Sequence, residues 1–388
     1  MIIVFLSDCY NHHQSAFSKA MYRLLDGRYV FVATKPVGQE RKQLGWKEEY
    51  TPFVMRWYES EAAARACEEL IDTCDVLITG SAPEALLKRR IRAGKMIIRY
   101  SERLYKRGYE LYKWPVRVLR MARRLNHRNM YLLCSSAYAA ADYALTGSFW
   151  GRTYKWGYFP ETKKLSQDVL LSHRGAAEKV SILWVGRLIG LKHPEYAVQT
   201  AERLKSAVYE FELNIIGNGE MESELRQMIE EHHLSDCVHL LGSMSPGQVR
   251  EYMEQADIYL FTSDFNEGWG AVLNESMNSG CAVVASHAVG ATPFLLQHEK
   301  NGLIYESGNI DDLFMKTRSL LDDPAKRQRL GLAAYETITQ EWNAETAAER
   351  LLKLIDNLQR TGKCDLFTSG PCSRARLLKN HWFRGGRV

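Results

Sequence analysis

Residues 262–275 read Thr262-Ser263-Asp264-Phe265-Asn266-Glu267-Gly268-Trp269-Gly270-Ala271-Val272-Leu273-Asn274-Glu275, and the rest of the chain is best understood around this stretch. The apolar run 258–261 before it predicts a buried strand. The spacing after it predicts a helix that ends at Gly280, and the run 282–285 predicts the next strand. A strand, a glycine-bearing loop and a helix N-terminus together form a place for anions, because the amides around Gly270, Ala271 and Val272 and the positive end of the helix dipole are available there.

The two glutamates of this stretch predict different roles. Glu267 precedes the helix, where a carboxylate can reach a hydroxyl of a ligand. Glu275 lies one to two turns into the helix and can accept two hydrogen bonds from a vicinal diol such as ribose. A plainer interpretation makes Glu267 a helix-capping acid and Glu275 a solvated helix residue, and the pair alone leaves both interpretations open.

The stretch resembles the E-x7-E signature of the family-4 glycosyltransferases. The resemblance continues through the small-residue and strand segment 279–286, a glycine turn at 289–291 and the pair Asn301-Gly302. It implies an α/β protein with the GT-B fold, in which two Rossmann-like domains have parallel sheets that face each other across a cleft holding the active site. It also implies that a sugar moves from a nucleoside diphosphate sugar to an acceptor hydroxyl, with retention at the anomeric carbon.

Length and composition limit the class of protein to which the chain can belong. A chain of 388 residues is too long for one ordinary core, so two domains are expected, and the 46% hydrophobic and 25% charged fractions are typical of a globular protein. No apolar run approaches the roughly twenty residues that cross a bilayer, and Met1–Leu6 predicts a first strand rather than a signal peptide. The eight cysteines contain no C-x2-C pair, which predicts reduced, mostly buried thiols and no zinc site.

The first 160 residues alternate between strand-like and helix-like runs. The predicted strands are 2–6, 29–33, 75–79, 96–99 and 130–134, and the predicted helices are 15–25, 59–71, 83–92 and a segment through Ala144. This alternation predicts a parallel sheet with helices on both faces. Ligands bind at the carboxyl ends of the strands in such sheets, so the loops 7–14 and 100–103 are predicted to form the acceptor side.

These two loops depart from the family pattern. Many members carry a Gly-Gly pair after the first strand, where this chain has His12 and His13, and a His-Asp or His-Glu pair after the fourth, where it has Ser101 and Glu102. Glu102 is the candidate catalytic acid at the family's histidine position. His12, His13 and Ser101 are candidate acceptor-side residues, and a pair of solvent-facing loop histidines is the alternative.

A basic stretch follows at 103–128. Arg103, Lys106, Arg107, Lys113, Arg117, Arg120, Arg123, Arg124 and Arg128 interleave with Tyr105, Tyr109, Tyr112 and Trp114. Basic residues with interfacial aromatics suit an anionic membrane surface or a diphosphate-bearing lipid. No recognised nucleic-acid-binding module accompanies them, so no nucleic-acid partner is predicted. An ordinary solvated helix with snorkelling arginines is the alternative.

The second half opens with the strand-like run 180–185 and Gly186-Arg187-Leu188, which resembles the start of the family's second domain, where a lysine follows; here it is Lys192. A diphosphate that departs without a metal needs fixed positive charge on its oxygens. A guanidinium and an ammonium from one loop supply that charge, so Arg187 and Lys192 are the predicted catalytic cations. A solvated loop pair is the alternative.

The resemblance also implies a set of donor-binding residues around these groups. They are Glu275, Gly268, Trp269, Gly270, Ala271, Val272, Gly217, Gly219, Ser243 and Met244. In the family the Gly217–Gly219 loop lies beside the nucleotide, and the backbone at Ser243 and Met244 meets the base. Glu267 would hold a hydroxyl of the donor sugar.

The predicted organisation is a domain at 1–160, a polar linker, a domain at 179–340, a last helix at 344–359 that completes the first domain, and a loosely held basic tail at 361–388. The predicted function is hexosyl transfer from a nucleoside diphosphate sugar, UDP-sugar favoured, to a lipid-linked or polysaccharide-type glycan. No metal or other cofactor is expected, and the predicted location is the cytoplasm, peripherally on the inner face of the membrane. A nucleotide-sugar epimerase or hydrolase of the same fold, and a non-catalytic nucleotide-sugar binder, are the alternatives.

Overall fold

The structure is a computed structural model that describes residues 1–38, 51–106, 114–172 and 179–383. The chain forms two compact units. Unit 1 comprises Met1–Glu161 and Trp342–Lys379, and unit 2 comprises Thr162–Glu341 and Asn380–Val388. Each unit contains one parallel sheet with helices packed on it, which confirms the predicted α/β class.

Unit 1 has a seven-stranded sheet in the order β3-β2-β1-β4-β5-β6-β7, and every pairing in it is parallel. The strands are β1 Ile3–Ser7, β2 Tyr29–Ala33, β3 Val54–Arg56, β4 Val76–Thr79, β5 Ile97–Ser101, β6 Met130–Cys134 and β7 Thr153–Lys155. All five residues of β1 are buried, as expected for a central strand of a sheet covered on both faces. The short strands β3 and β7 are absent from the sequence-based prediction.

The helices of unit 1 are α1 His12–Leu24, α2 Glu61–Thr73, α3 Lys88–Arg92, α4 Trp114–Leu125 and α5 Ala139–Ala144, with a 3-10 turn at Glu84–Leu87. The prediction for the start of α1 was wrong. Asn11 caps this helix by accepting a hydrogen bond at 2.9 Å from the amide of His13. His12 and His13 are therefore first-turn helix residues rather than loop residues.

The last long helix of the chain, which we number α14, is Ala344–Thr361, and it belongs to unit 1. Asn343 caps its start, and Gly362, in the left-handed region at φ 71°, ends it. It packs against α1, where Arg23 and Glu345 form an ion pair. Its apolar stripe, with Leu351, Leu354, Ile355 and Leu358, is buried.

Unit 2 has a six-stranded parallel sheet in the order β10-β9-β8-β11-β12-β13. Its strands are β8 Val180–Val185, β9 Phe211–Ile216, β10 Val238–Gly242, β11 Ile258–Phe261, β12 Ala282–Ser286 and β13 Leu303–Tyr305. Its helices are α6 Gln167–Ser172, α7 Pro194–Ser206, α8 Glu222–Glu231, α9 Pro246–Gln255, α10 Val272–Asn278, α11 Thr292–Leu295, α12 Ile310–Asp322 and α13 Pro324–Glu336. The order of the strands places β8 beside β11, which brings two distant loops together at the carboxyl edge of the sheet.

The prediction of a loosely held C-terminal tail was wrong for its described part. Residues 372–375 run antiparallel beside β7: the amide of Cys372 donates to the carbonyl of Lys155 at 2.8 Å, and the amide of Lys155 donates to the carbonyl of Ser373 at 2.7 Å. Further along, the ring of Phe383 is fully buried in unit 2 against His287 and His298. Backbone pairing and one aromatic anchor hold this segment, and neither produces an apolar repeat in the sequence.

The basic stretch is also partly mispredicted, and its residues 107–113 lie outside the described chain. Arg103 is buried, where it forms a two-point ion pair with Asp142 at 3.2 Å and lies over the ring of Tyr138. Tyr105 is buried as well. These two residues belong to the core of unit 1, so the surface part of the stretch begins at Lys106.

All eight cysteines are buried, as predicted, and none is in a disulfide. Across the described ranges, no helix has both the length and the apolarity that a bilayer crossing requires.

Candidate active site

The predicted donor residues of unit 2 all lie at one edge of its sheet. Arg187 follows β8, Gly217 and Gly219 follow β9, Ser243 and Met244 follow β10, and the stretch 262–275 follows β11. Because these strands are parallel neighbours, their carboxyl ends meet at the same edge. The structure therefore brings together a set that the sequence spreads over almost ninety positions, about a quarter of the chain.

Backbone contacts hold the loops after β8 and β9 against each other. The amide of Gly186 donates to the carbonyl of Ile216 at 3.0 Å, and the amide of Leu188 donates to that of Asn218 at 2.8 Å. Gly217 has φ 147°, and a Cβ placed on it would overlap the carbonyl oxygen of Gly186. The position needs glycine because the two backbones touch, and this close approach fixes the loop that carries Arg187.

Thr262 fixes the loop that carries Lys192. Its hydroxyl donates to the carbonyl of Lys192 at 2.6 Å and accepts a hydrogen bond from Trp184 Nε1 at 2.8 Å. Two residues on, the amide of Asp264 donates to the carbonyl of Leu191 at 3.0 Å. The loop after β8 and the loop after β11 therefore form one hydrogen-bonded structure.

Lys192 and Glu267 form an ion pair at this edge. Lys192 Nζ donates to a carboxylate oxygen of Glu267, and the two side chains are only 16% and 14% exposed. Arg187 is exposed, and within the described residues its guanidinium has no hydrogen-bonding or ion-pairing partner. The site therefore has one cation held in place by a carboxylate and one available for an anion.

Glu275 lies on α10 and is half-buried. Burial raises its pKa to about 7, although nearby Arg250 opposes the rise. Burial also raises the pKa of Tyr259, and the negative charges of Glu275 and Glu267 add to that shift, so both glutamates lie near Tyr259. A half-buried carboxyl group with a pKa near neutrality is not the solvated helix residue of the plainer interpretation.

The segment between the two glutamates is shaped by buried contacts. The Trp269 side chain is fully buried, and its Nε1 donates to Asn274 Oδ1 at 2.8 Å. Gly270 has φ 86°, and a Cβ there would overlap the ring of Phe261. Helix α10 then begins at Val272, and Gly280, at φ 75°, follows its end as predicted. Only the backbone of Trp269 is therefore left to meet a ligand.

The acceptor-side candidates lie in unit 1. Ser101 is the last residue of β5 rather than a loop residue, and Tyr143 Oη donates to its hydroxyl at 2.9 Å. Glu102 accepts hydrogen bonds from Tyr158 Oη at 2.6 Å and Lys106 Nζ at 2.5 Å. The His13 ring stacks on Tyr158 at 5.5 Å, whereas His12 is exposed. His13 and Glu102 are thus joined through Tyr158, and the ring of His12 lies beside that of His13, with the centroids 4.0 Å apart.

Three residues beside the Lys192–Glu267 pair, His193, Glu195 and Asp264, are absent from the sequence-based site prediction. The His193 ring lies between two carboxylates, with Nδ1 2.7 Å from Glu195 Oε1 and Nε2 3.5 Å from Asp264 Oδ2. Hydrogen bonds to Asp264 and then Glu195 raise the pKa of His193 to about 9, although burial opposes them. The sequence contains one local signal for this site, a histidine directly before Pro194, which begins a helix. Its partner Asp264 is distant in the chain, so the sequence alone does not connect the two.

Within residues 1–38, 51–106, 114–172 and 179–383, no three or more His, Cys, Asp or Glu side chains are grouped so as to hold a metal ion.

Two parallel α/β sheets, with the candidate residues at the carboxyl edge of the second, place the protein in the GT-B class. The crystal structure of Anabaena Alr3699/HepE in complex with UDP is similar, with a TM-score of 0.68 over 92% of this chain and 100% of that chain at 17% identity. A sucrose-phosphate synthase from Thermosynechococcus elongatus has a TM-score of 0.65 over 93% of this chain and 100% of that chain at 16% identity. At these identities the likeness establishes the fold.

Residues 172–337 match the family described as glycosyl transferases group 1. This segment contains all the candidate donor residues, so the resemblance in the sequence is confirmed for it.

Curated relatives agree with this match. An amylovoran biosynthesis glycosyltransferase of Erwinia amylovora is 30% identical over 186 residues, which are 47% of this chain and 46% of the relative. A GDP-mannose-dependent alpha-(1-6)-phosphatidylinositol monomannoside mannosyltransferase of Mycobacterium tuberculosis is 24% identical over 290 residues, 71% of this chain and 74% of the relative. The chain spans less than half the length of the first relatives it matches, 46% and 41%.

Proposed function

We propose that this protein is a hexosyltransferase that moves a sugar from a nucleoside diphosphate sugar to an acceptor hydroxyl, with retention at the anomeric carbon. The observation that carries the proposal is the Lys192–Glu267 pair, which lies at the same sheet edge as Arg187 and Glu275 in a segment that matches glycosyl transferases group 1. These groups have the chemistry that a donor of this kind requires: cations for the diphosphate and carboxylates for hydroxyl groups.

Each group has a defined task in the proposed reaction. The exposed guanidinium of Arg187 and the ammonium of Lys192 stabilise the diphosphate as it leaves with the bonding electrons, so the reaction needs no divalent metal. Glu267, which holds Lys192 before the donor arrives, accepts a hydrogen bond from a hydroxyl of the donor sugar. Glu275 accepts the ribose hydroxyls, and the backbone at 269–271 contacts phosphate or sugar. In unit 1, Glu102 is the candidate acid on the acceptor side.

UDP-sugars are the favoured donors. The similar Anabaena protein was solved with UDP and with UDP-glucose. The mannosyltransferase relative is named for GDP-mannose, so the base is to be decided by experiment.

The proposed acceptor is a lipid-linked or polysaccharide-type glycan at an anionic membrane surface on the cytoplasmic side. The curated relatives act in amylovoran biosynthesis and on a phosphatidylinositol mannoside, as their names state. In this chain, α4 has four arginines and no acidic residue, and it exposes Val116 by 65% and Leu119 by 53% beside the exposed Arg120 and Arg123. Exposed apolar side chains among arginines are typical of helices that lie in a membrane interface.

A thermal-shift screen against UDP, GDP, ADP, TDP and their common sugar conjugates tests the proposal. We expect one nucleotide to raise the melting temperature, an effect lost in Arg187→Ala and kept in the control Arg226→Ala, whose side chain is also exposed and lies on α8. The screen is repeated with EDTA, which should leave the shift unchanged.

Turnover then separates the related functions. The nucleotide that binds is offered as its sugar conjugate with and without a glycan acceptor. Transfer that depends on the acceptor supports the proposal. Release of free sugar without acceptor would identify an epimerase or hydrolase, and binding with no turnover under either condition would identify a non-catalytic binder.

A further inference from the structure

His193, Glu195 and Asp264 form a charged cluster next to the candidate catalytic pair, and we call it the His193 clip. Both ring nitrogens of His193 face carboxylates. One is Glu195, in the first turn of helix α7, which His193 directly precedes, and the other is Asp264, in the loop after β11. The ring also stacks on Tyr196 at 4.5 Å with an interplanar angle of 11°. Both ring nitrogens and one face of the ring are therefore in contact with other residues, which fixes the orientation of the ring.

The clip connects the two segments that carry Lys192 and Glu267. His193 directly follows Lys192, and Asp264 organises the turn before Glu267. The Asp264 carboxylate accepts a hydrogen bond from the amide of Asn266 at 2.7 Å, and the amide of Glu267 donates to the Asp264 carbonyl at 3.1 Å. A displacement of His193 would therefore act on both members of the pair.

The backbone of His193 has a conformation that a histidine does not normally prefer. It has φ 48° and ψ 54°, in the left-handed region that non-glycine residues seldom adopt. Such a conformation is strained and persists where surrounding contacts over-determine it. The contacts here are the two carboxylates and Tyr196.

The charges of the clip also suit a neighbouring diphosphate. Two carboxylates beside an anion site would repel the ligand, and an imidazolium between them offsets one of the two negative charges. Because both ring nitrogens of His193 already face carboxylates, the ring is not available as a phosphate ligand.

We propose that His193 is a positioning residue of the donor site, which locks the Lys192 loop to the Asp264–Glu267 turn so that Lys192 and Glu267 meet the donor in place. This inference rests on the proposed function, and it adds a residue set that the E-x7-E signature does not include.

The test compares His193→Asn with Asp264→Asn and the double variant. Asparagine tolerates the left-handed backbone but has no positive charge, so it removes the clip while keeping the turn. We expect the dissociation constant of the nucleoside diphosphate identified for the wild type to rise about tenfold in each single variant, and kcat at saturating donor to fall less. The double variant should be no weaker than either single one, because the two residues act as a unit.

His232→Asn is the matched control. His232 also pairs with a glutamate in unit 2, Glu202, at 2.9 Å, but Glu202 lies on α7 and His232 directly follows α8, and neither residue belongs to the clip. It should bind the nucleotide as the wild type does. A His193→Asn variant that binds within twofold of the wild type, or additive losses in the double variant, would overturn the inference.

An NMR titration of the wild type tests the His193 clip independently of the proposed function. The His193 imidazole should titrate near pH 9 in NMR spectra, and nearer its ordinary 6.5 in Asp264→Asn. The titratable groups in contact with it are Glu195, Asp264 and Tyr196, and the charged Lys192 precedes it in the chain. The clip fails if His193 titrates at its ordinary pKa in the wild type. The proposed function fails if the wild type binds no nucleoside diphosphate sugar, whatever the titration gives.

Discussion

Lys192 donates a hydrogen bond to Glu267 across 75 positions of sequence. The contact exists because β8 and β11 are neighbours in the sheet, so that the loops following them share one edge. Each charge neutralises the other, so neither Lys192 nor Glu267 is buried without a partner. In the proposed reaction the diphosphate binds Lys192 and a sugar hydroxyl binds Glu267, so donor binding would replace this ion pair.

Removing either partner should therefore reduce turnover strongly. We expect Lys192→Met to lower kcat/KM by about 100-fold or more, because the leaving diphosphate loses a fixed cation. Glu267→Gln should cause a loss of the same order, and steady-state kinetics with the donor from the thermal-shift screen measure both. Lys205→Met is the control, since Lys205 pairs with Asp236 on the surface. Equal losses in the control would refute the assignment.

Glu275 predicts a pH-dependent stability. Burial raises its folded-state pKa from 4.5 to about 7, so the folded state holds the proton more tightly than the unfolded state. The contribution of Glu275 to the free energy of unfolding is therefore fully present below pH 4.5, and it is lost as the pH rises through 7 and the buried carboxyl group ionises. Glu275→Gln should remove this loss and raise the free energy of unfolding by about 1–3 kcal/mol at pH 8, with little change at pH 4.5.

Urea unfolding of the wild type and Glu275→Gln at the two pH values measures the difference. Glu251→Gln, at an exposed glutamate of α9, should match the wild type at both. A Glu275→Gln variant that is less stable than the wild type at pH 8 would mean that the carboxylate makes a stabilising contact which this interpretation omits. Nucleotide affinity of the same variant should fall, since an amide oxygen accepts ribose hydroxyls less strongly than a carboxylate.

The sequence predicted those parts of the fold that local patterns determine. The strand, loop and helix from Ile258 to Gly280 follow directly from apolar spacing and glycine placement, and the structure has them at the expected residues. Arg187, Lys192, Glu267 and Glu275 were found through the family resemblance. Their grouping depends on a sheet order that alternation alone does not fix.

The missed features depend on contacts between distant residues. No local pattern connects His193 with Asp264, because their contact follows from the pairing of β8 with β11. The start of α1 was placed too late because Asn11, rather than Ser15, provides the cap. Arg103 was read as a surface cation because its partner Asp142 lies far along the chain. Residues 372–375 are held by backbone pairing, which leaves no signature in side-chain composition.

We expect a side chain at position 217 to clash with the neighbouring backbone and to disturb the site. A Cβ at this position would meet the carbonyl oxygen of Gly186, and the backbone conformation at φ 147° disfavours other residues. Gly217→Ala should cost about 2 kcal/mol or more of unfolding free energy and weaken nucleotide binding, because the loop that carries Arg187 must move. Gly247→Ala, in the first turn of α9 with open space around its Cβ, should be neutral or slightly stabilising. Equal stabilities of the two variants would contradict the close approach.

Helix α4 predicts binding to anionic vesicles. Arg120 and Arg123 are exposed beside Val116 and Leu119, so attraction to negative headgroups and apolar insertion act together. We expect the protein to sediment with vesicles containing phosphatidylserine but not with phosphatidylcholine alone, and to be released by salt. Reversing both arginines to glutamate should lower the partition coefficient by tenfold or more, since each basic residue near the surface contributes about 1 kcal/mol. The control reverses Arg65 and Arg226, two exposed arginines on other helices, with the same change in net charge. A loss as large in the control pair would show that net charge, rather than α4, sets the binding.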